Sequence, residues 1–169
     1  MKPLDVSFFK GLALYISEQL SELNLRMALQ GIEVVRKDYA SIISGMPEFS
    51  HFAVANIKEM SCAFHAGKKL VSVATDRLLG GSGVLVDGDQ DHFTFSQQFL
   101  FKSMVDWMIV YFEQKELDLE VHRILHHSRS MHLFFHDEAV ACVSVKIKLN
   151  QNIATTLQFI CPNYGVKDA

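Results

Sequence analysis

The stretch from 94 to 115, TFSQQFLFKSMVDWMIVYFEQK, constrains the fold most, because it reads as a long helix that is apolar around most of its girth. Thr94 and Gln97 form a capping box. The threonine oxygen accepts from the Gln97 N–H, and the glutamine side chain reaches back to the Thr94 N–H. Phe95, Phe99, Met104 and Met108 define one side. Phe101, Val105, Met108 and Phe112 overlap it, and Trp107 and Tyr111 widen the coverage. Such a helix is expected to be central, with neighbours on more than one side. A chain of 169 residues with 13 Phe and only 3 Pro can bury it within one domain spanning 1–169.

The flanking patterns supply the neighbours. Apolar residues at helical spacing from Phe8 to Met27, with Ser7 as N-cap, predict a first helix. A strand is expected over Ile32–Arg36, then a short helical or turn segment over Asp38–Ser44, punctuated by Gly45 and Pro47. HFAVANIKEMSCAFHAGKKLVSVA reads as two or three strands around a turn at Ala66-Gly67. TDRLLGG reads as a short helix capped by Thr75 or Asp76 and ended by Gly80 in the left-handed conformation. Leu117, Leu119 and Val121 alternate with polar residues. A hairpin turning at Asp137-Glu138 follows, then a closing strand, IATTLQFICP. In the second arm Ala139, Ala141, Val143, Val145, Ile147 and Leu149 share one face, opposite Lys146 and Lys148. This order predicts an α/β domain with one antiparallel or mixed sheet covered by a few helices.

Composition excludes several function classes. Sixteen basic against 19 acidic side chains argue against a nucleic-acid grip. Cys62, Cys142 and Cys161 are widely spaced in apolar surroundings and read as buried thiols of a reducing compartment. No signal peptide and no run of about 18 uninterrupted apolar residues is found, so the expected location is the cytosol.

GGSG at 80–83 is the candidate phosphate loop, and it fails the test. It follows a helix, carries no Lys-Ser or Lys-Thr after it, and leads into Asp87, Asp89 and Asp91, which repel phosphate. Ser82 is not a GxSxG nucleophile. His122, His126, His127, His132 and His136 cluster in sequence, but HExxH and CxxC are absent, and His132 and His136 would sit about 13 Å apart along one strand. No cofactor or metal is therefore expected.

DRLLGGSG, the acidic loop and FTFSQQFLFKSMVDWMIVYF together resemble the middle domain of the flagellar motor switch protein FliM. LYISEQLSELNLRMALQGIEV and LQFICPNYGV extend the resemblance over nearly the whole chain. It implies the CheC-like fold, a pseudo-symmetric α/β/α unit of two related halves with a long central helix. It further implies a non-enzymatic scaffold or adaptor of a flagellar-type or type III secretion-type cytoplasmic ring, at the cytoplasmic face of the inner membrane. The membrane is then approached only through the machine. Gly80, Gly81, Ser82 and Gly83 inherit a partner-docking role, with Leu78, Leu79 and Val84 adding apolar area. Expected partners are rotor or secretion-ring proteins, such as a FliG-like protein and a SpoA-domain protein, and copies packed side by side.

Two departures from the family accompany this. Nothing before Phe8 resembles its regulator-capturing peptide, and Ala169 falls too early for its SpoA-type β domain. The same fold includes response-regulator phosphatases, whose active helix carries an acid or Ser, a Glu four positions on and an Asn three beyond. Ser17, Ser21 and Asn24 keep that spacing with serine in place of glutamate, and a hydroxyl cannot replace the carboxylate. A CheC-like phosphatase or phospho-receiver binding module is the alternative function, and a metal- or ligand-binding domain built on the histidines is a third.

Overall fold

A computed structural model describes residues 3–83, 93–150 and 152–167. Four helices, α1 (Val6–Ser21), α2 (Tyr39–Ser44), α3 (Lys68–Leu78) and α4 (Phe95–Gln114), accompany six strands. The strands are β1 (Met27–Asp38), β2 (Phe49–Ile57), β3 (Met60–Ala66), β4 (Leu119–His127), β5 (Ala139–Leu149) and β6 (Ile153–Pro162). They form one sheet in the order β1-β5-β6-β3-β2-β4, and every neighbouring pair is antiparallel.

That order resolves into two related halves. Each runs from a helix to a single strand and then to a hairpin: α1, β1, β2–β3 and α4, β4, β5–β6. The hairpins meet at β3 and β6, and the single strand of each half adds to the hairpin of the other, β1 on β5 and β4 on β2. This is the pseudo-symmetry that the resemblance implies.

The helices α1, α3 and α4 cover one face. Phe9, Leu12 and Ile16 of α1 and Phe101, Met104, Met108 and Phe112 of α4 join Phe64, Val143, Ile147 and Phe159 in the main core. Phe112 is central, with the rings of Phe8 and Phe64 at 4.9 and 5.8 Å. On the opposite face Tyr39, Phe52, Val54, Met131, Val140, Cys142 and Ile160 form a second, smaller cluster under α2. The three cysteines are buried free thiols, and burial pushes Cys161 up to about 12.

The capping box of α4 is present in both directions, and β5, β6 and the α2 segment lie where expected. α4 packs against α1, α3, β2 and β4, which makes it central. Phe95 and Phe99 nevertheless point outward, 84% and 55% exposed.

Four local expectations are corrected. α1 is capped by Asp5, whose carboxylate accepts from the Phe8 N–H and the Ser7 hydroxyl. It stops at Ser21, because the chain turns through Asn24 at φ 55°. The strand after it runs the full length of β1, and a bulge between Leu29 and Gly31 masks its alternation. Lys68–Ala74 is helical. Its β-branched residues suggest a strand, but Leu70, Val71, Val73 and Ala74 share one buried side, so Thr75 and Asp76 fall inside α3 rather than at its start. Finally, there is no hairpin at Asp137-Glu138, since β4 pairs with β2. Met131, Leu133 and Phe134 are apolar because they cover the second cluster, where Tyr39 Oη donates to the Met131 carbonyl and the Tyr39 and Phe134 rings lie 5.4 Å apart.

A polar chain crosses the sheet interior. Gln158 Nε2 donates to Ser144 Oγ (3.1 Å), so its Oε1 faces His65 Nδ1 (2.7 Å), and His65 Nε2 lies 2.7 Å from Ser50 Oγ. Burial holds His65 at about 4. His51 is fully buried beside Phe93, Phe101 and His126, and neither of its ring nitrogens has a hydrogen-bond partner among the described residues. Burial, then the charges of His126, His65 and Lys68, push it down to about 3.

Truncation Phe112→Ala should cost roughly 3–5 kcal/mol, read from urea unfolding, because it opens a cavity between α4 and the sheet. The buried histidines fix a pH dependence. Both have an ordinary value of 6.5 and are depressed in the fold, so below that value the unfolded chain binds protons that the folded chain refuses. Stability should be flat above about pH 6.5 and fall toward pH 4, by ~1.4 kcal/mol per pH unit for each such proton. His51→Phe should flatten that slope; an unchanged slope would show that His51 is not one of the groups responsible.

Candidate functional site

The GGSG turn is a helix stop with an internal strut. The Gly80 N–H donates to the Arg77 carbonyl (3.0 Å) and the Gly81 N–H to the Asp76 carbonyl (2.8 Å), the double bond of a Schellman ending. Gly80 has φ +86° and Gly83 φ +74°, which side chains avoid. Gly81 is needed for space: a Cβ there would lie 2.2 Å from Asp76 Oδ1. That carboxylate is not free to move aside, because its Oδ2 accepts from the Gly83 N–H at 2.7 Å. Arg77 Nη1 approaches the Gly81 carbonyl (3.4 Å) and Asn150 Nδ2 the Gly83 carbonyl (3.3 Å). The glycines therefore let the backbone close around Asp76 and present its outer edge to solvent.

Of the residues singled out in sequence, Leu78, Leu79, Gly80 and Ser82 are exposed, Gly81 is half-buried and Gly83 is buried. Leu79, at 69% exposure, is the most prominent apolar group of the turn. Val84, Asp87, Asp89 and Asp91 lie outside the described residues.

Ser17, Ser21 and Asn24 do not form one helix face. Ser17 Oγ donates to the Met27 carbonyl (3.2 Å), and Ser21 Oγ donates back to Glu18 of its own helix (2.6 Å). Asn24 sits beyond the helix end. Ser21 and Asn24 instead line an open groove with Leu25, Arg26, Arg77 and Asn150. The former phosphatase-like positions and the glycine turn thus share one end of the molecule, a proximity with no sequence signal because three separate chain turns build it.

The histidines do not converge. His122, His126 and His127 lie on β4, whereas His132 and His136 lie in the connection after it, not on a strand. Among the described residues no three His, Cys, Asp or Glu side chains are placed to hold a metal ion. Sequence reasoning also missed Asp76 as the strut and the buried His65 chain. Asp76 has the residue type of a helix cap and so imitates a helix start, and the His65 chain unites residues from four strands.

No family model matches the chain, and no curated protein matches it. Among solved structures it is similar to the FliG–FliM complex from H. pylori, at TM-score 0.77 and 16% identity, covering 92% of this chain and 89% of that one. It is also similar to the FliM middle domain from Vibrio alginolyticus, at TM-score 0.74 and 11% identity, with 94% and 92% covered. A CheC-like superfamily protein from a Shewanella species matches at TM-score 0.56 and 9% identity, with 94% and 98% covered. Helix, strand and hairpin repeated with exchanged edge strands, and structural matches that cover about nine-tenths or more of each chain, give this protein the CheC-like fold in the form seen in FliM middle domains.

Proposed function

We propose that this chain is a single-domain, non-enzymatic docking module. It serves as scaffold or adaptor of a flagellar-type or type III secretion-type cytoplasmic ring and captures a partner protein on the turn at 78–84. The observation that carries this reading is the exposed, internally braced turn with Leu78 and Leu79 at its shoulder. A rigid backbone edge beside apolar side chains loses little entropy on binding. The similar FliM is solved in complex with FliG, so a FliG-like rotor protein is the leading partner. A SpoA-domain protein and further copies of the chain are additional ring neighbours. The cytoplasmic face of the inner membrane is the corresponding location, and no helix among the described residues is long and apolar enough to cross a membrane.

A phosphatase role is disfavoured by geometry. Ser17 and Ser21 spend their hydroxyl protons on backbone carbonyls, Asn24 is off the helix, and no carboxylate stands at the position that would orient water.

The substitution Leu79→Asp tests docking without touching the turn, because the side chain points outward at 69% exposure. Circular dichroism and thermal unfolding should match the unaltered protein. Affinity for the FliG-like rotor protein of the same organism, measured by calorimetry, should fall at least tenfold, or about 1.4 kcal/mol. Unchanged affinity would remove the turn from the contact. Gly80→Ala, by contrast, should cost about 1 kcal/mol of stability through φ strain alone, since a Cβ there meets nothing.

A further inference from the structure

The groove beside the turn has a chemical bias. Its walls are Ser21, Asn24, Leu25 and Arg26 after α1, Arg77 in the last turn of α3 and Asn150 between β5 and β6, around an open volume of about 530 Å³. Two arginines and two asparagines line it, and none of the lining residues among those described is acidic. In a chain of net charge −3 this is a local reversal of sign.

The carboxylate next to Arg77 in sequence is engaged elsewhere, since Asp76 Oδ2 accepts from the Gly83 N–H. Neither Arg26 nor Arg77 has an ion-pair partner among the described residues. Arg77 Nε is buried with no acceptor, and its Nη1 makes only a 3.4 Å contact with the Gly81 carbonyl. Asn24 and Asn150 hold left-handed backbone, φ 55° and 44°, which fixes the two turns at the rim. The Asn150 N–H donates to the Arg26 carbonyl at 3.0 Å, tying those turns to each other. Guanidinium N–H groups with no strong acceptor match the two oxygens of a carboxylate.

We infer that this groove receives an Asp or Glu side chain of the protein docked on the GGSG turn. The inference rests on the docking reading and adds the partner's chemistry. Arg77 precedes Leu78 and Leu79 directly, so one segment bearing an apolar residue and a neighbouring acid spans both surfaces. The open shape suits a side chain entering from a second polypeptide, and positive charge that no described carboxylate opposes selects an acidic one.

Calorimetry against the FliG-like rotor protein separates the two ideas. Arg26→Gln is the chosen variant because the Arg26 side chain bonds to no described group, so its loss leaves the fold intact. It should weaken binding about tenfold and flatten the salt dependence, and Arg26→Glu should weaken it further. If Leu79→Asp loses binding while both Arg26 variants bind as the unaltered protein does, the groove inference is overturned and the docking reading stands. If the unaltered protein does not bind that partner, the docking reading is overturned in its rotor form and the groove is decided by nuclear magnetic resonance. The probes are then acetyl-Leu-Glu-Leu-Glu-amide, its Gln counterpart and inorganic phosphate. Saturable shifts of the Asn150 and Asn24 amides and the Arg77 Nε–H with the Glu peptide alone, lost in Arg26→Gln, support the inference. Equal response to Glu and Gln, no response, or tighter saturation by phosphate overturns it.

Discussion

Four residue pairs, from Ala63 with Ile160 to Ala66 with Leu157, join β3 to β6 and are, among the described residues, the only ladder between the two hairpins. Everything else hangs on that seam, because each hairpin then carries the other half's single strand on its far side. The seam holds the His65–Gln158 pair, continued by Ser50 on β2 and Ser144 on β5. Apolar pairs on either side would tolerate a shifted register at moderate cost. Slipping the polar pair by one position would strand a buried imidazole and a buried amide, each expensive without a partner. The polar chain therefore specifies alignment, and Phe64 and Phe159 beside it supply the burial that makes alignment worthwhile.

The same seam places the candidate docking end. The turn after β5 passes through Asn150, Gly67 caps α3 directly after β3, and the chain leaving α1 returns to that end through Asn24. Three chain reversals thus meet where Asp76 braces the glycine turn. Burial is concentrated on the sheet, and the exposed rim carries the backbone of the glycine turn beside Leu78, Leu79 and the two arginines.

Local features were legible in the sequence and non-local ones were not. The Thr94–Gln97 box and the Gly80 stop follow from bonds within a few residues, so the residue types alone announce them. The Lys68–Ala74 helix was obscured because Val71 and Val73 favour strands by propensity, whereas burial of one side decided the matter. The connection at 131–138 imitates a strand because covering an apolar cluster and lying in a sheet ask for the same residues. Of the candidate site, the turn could be read. Its strut and the arginine groove could not, since Asp76, Arg26 and Asn150 acquire meaning only when separate turns are brought together.

The exchange of edge strands also dictates a timetable for synthesis. β1 is complete early, yet its hydrogen-bonding partner is β5, whose Leu149 pairs with Met27. A nascent chain leaving the ribosome must therefore hold a long unpaired edge until nearly the last strand has emerged. Such an edge is a template for foreign strands, so crowded or rapid production should favour entanglement between neighbouring copies, each lending its first strand to another molecule's hairpin.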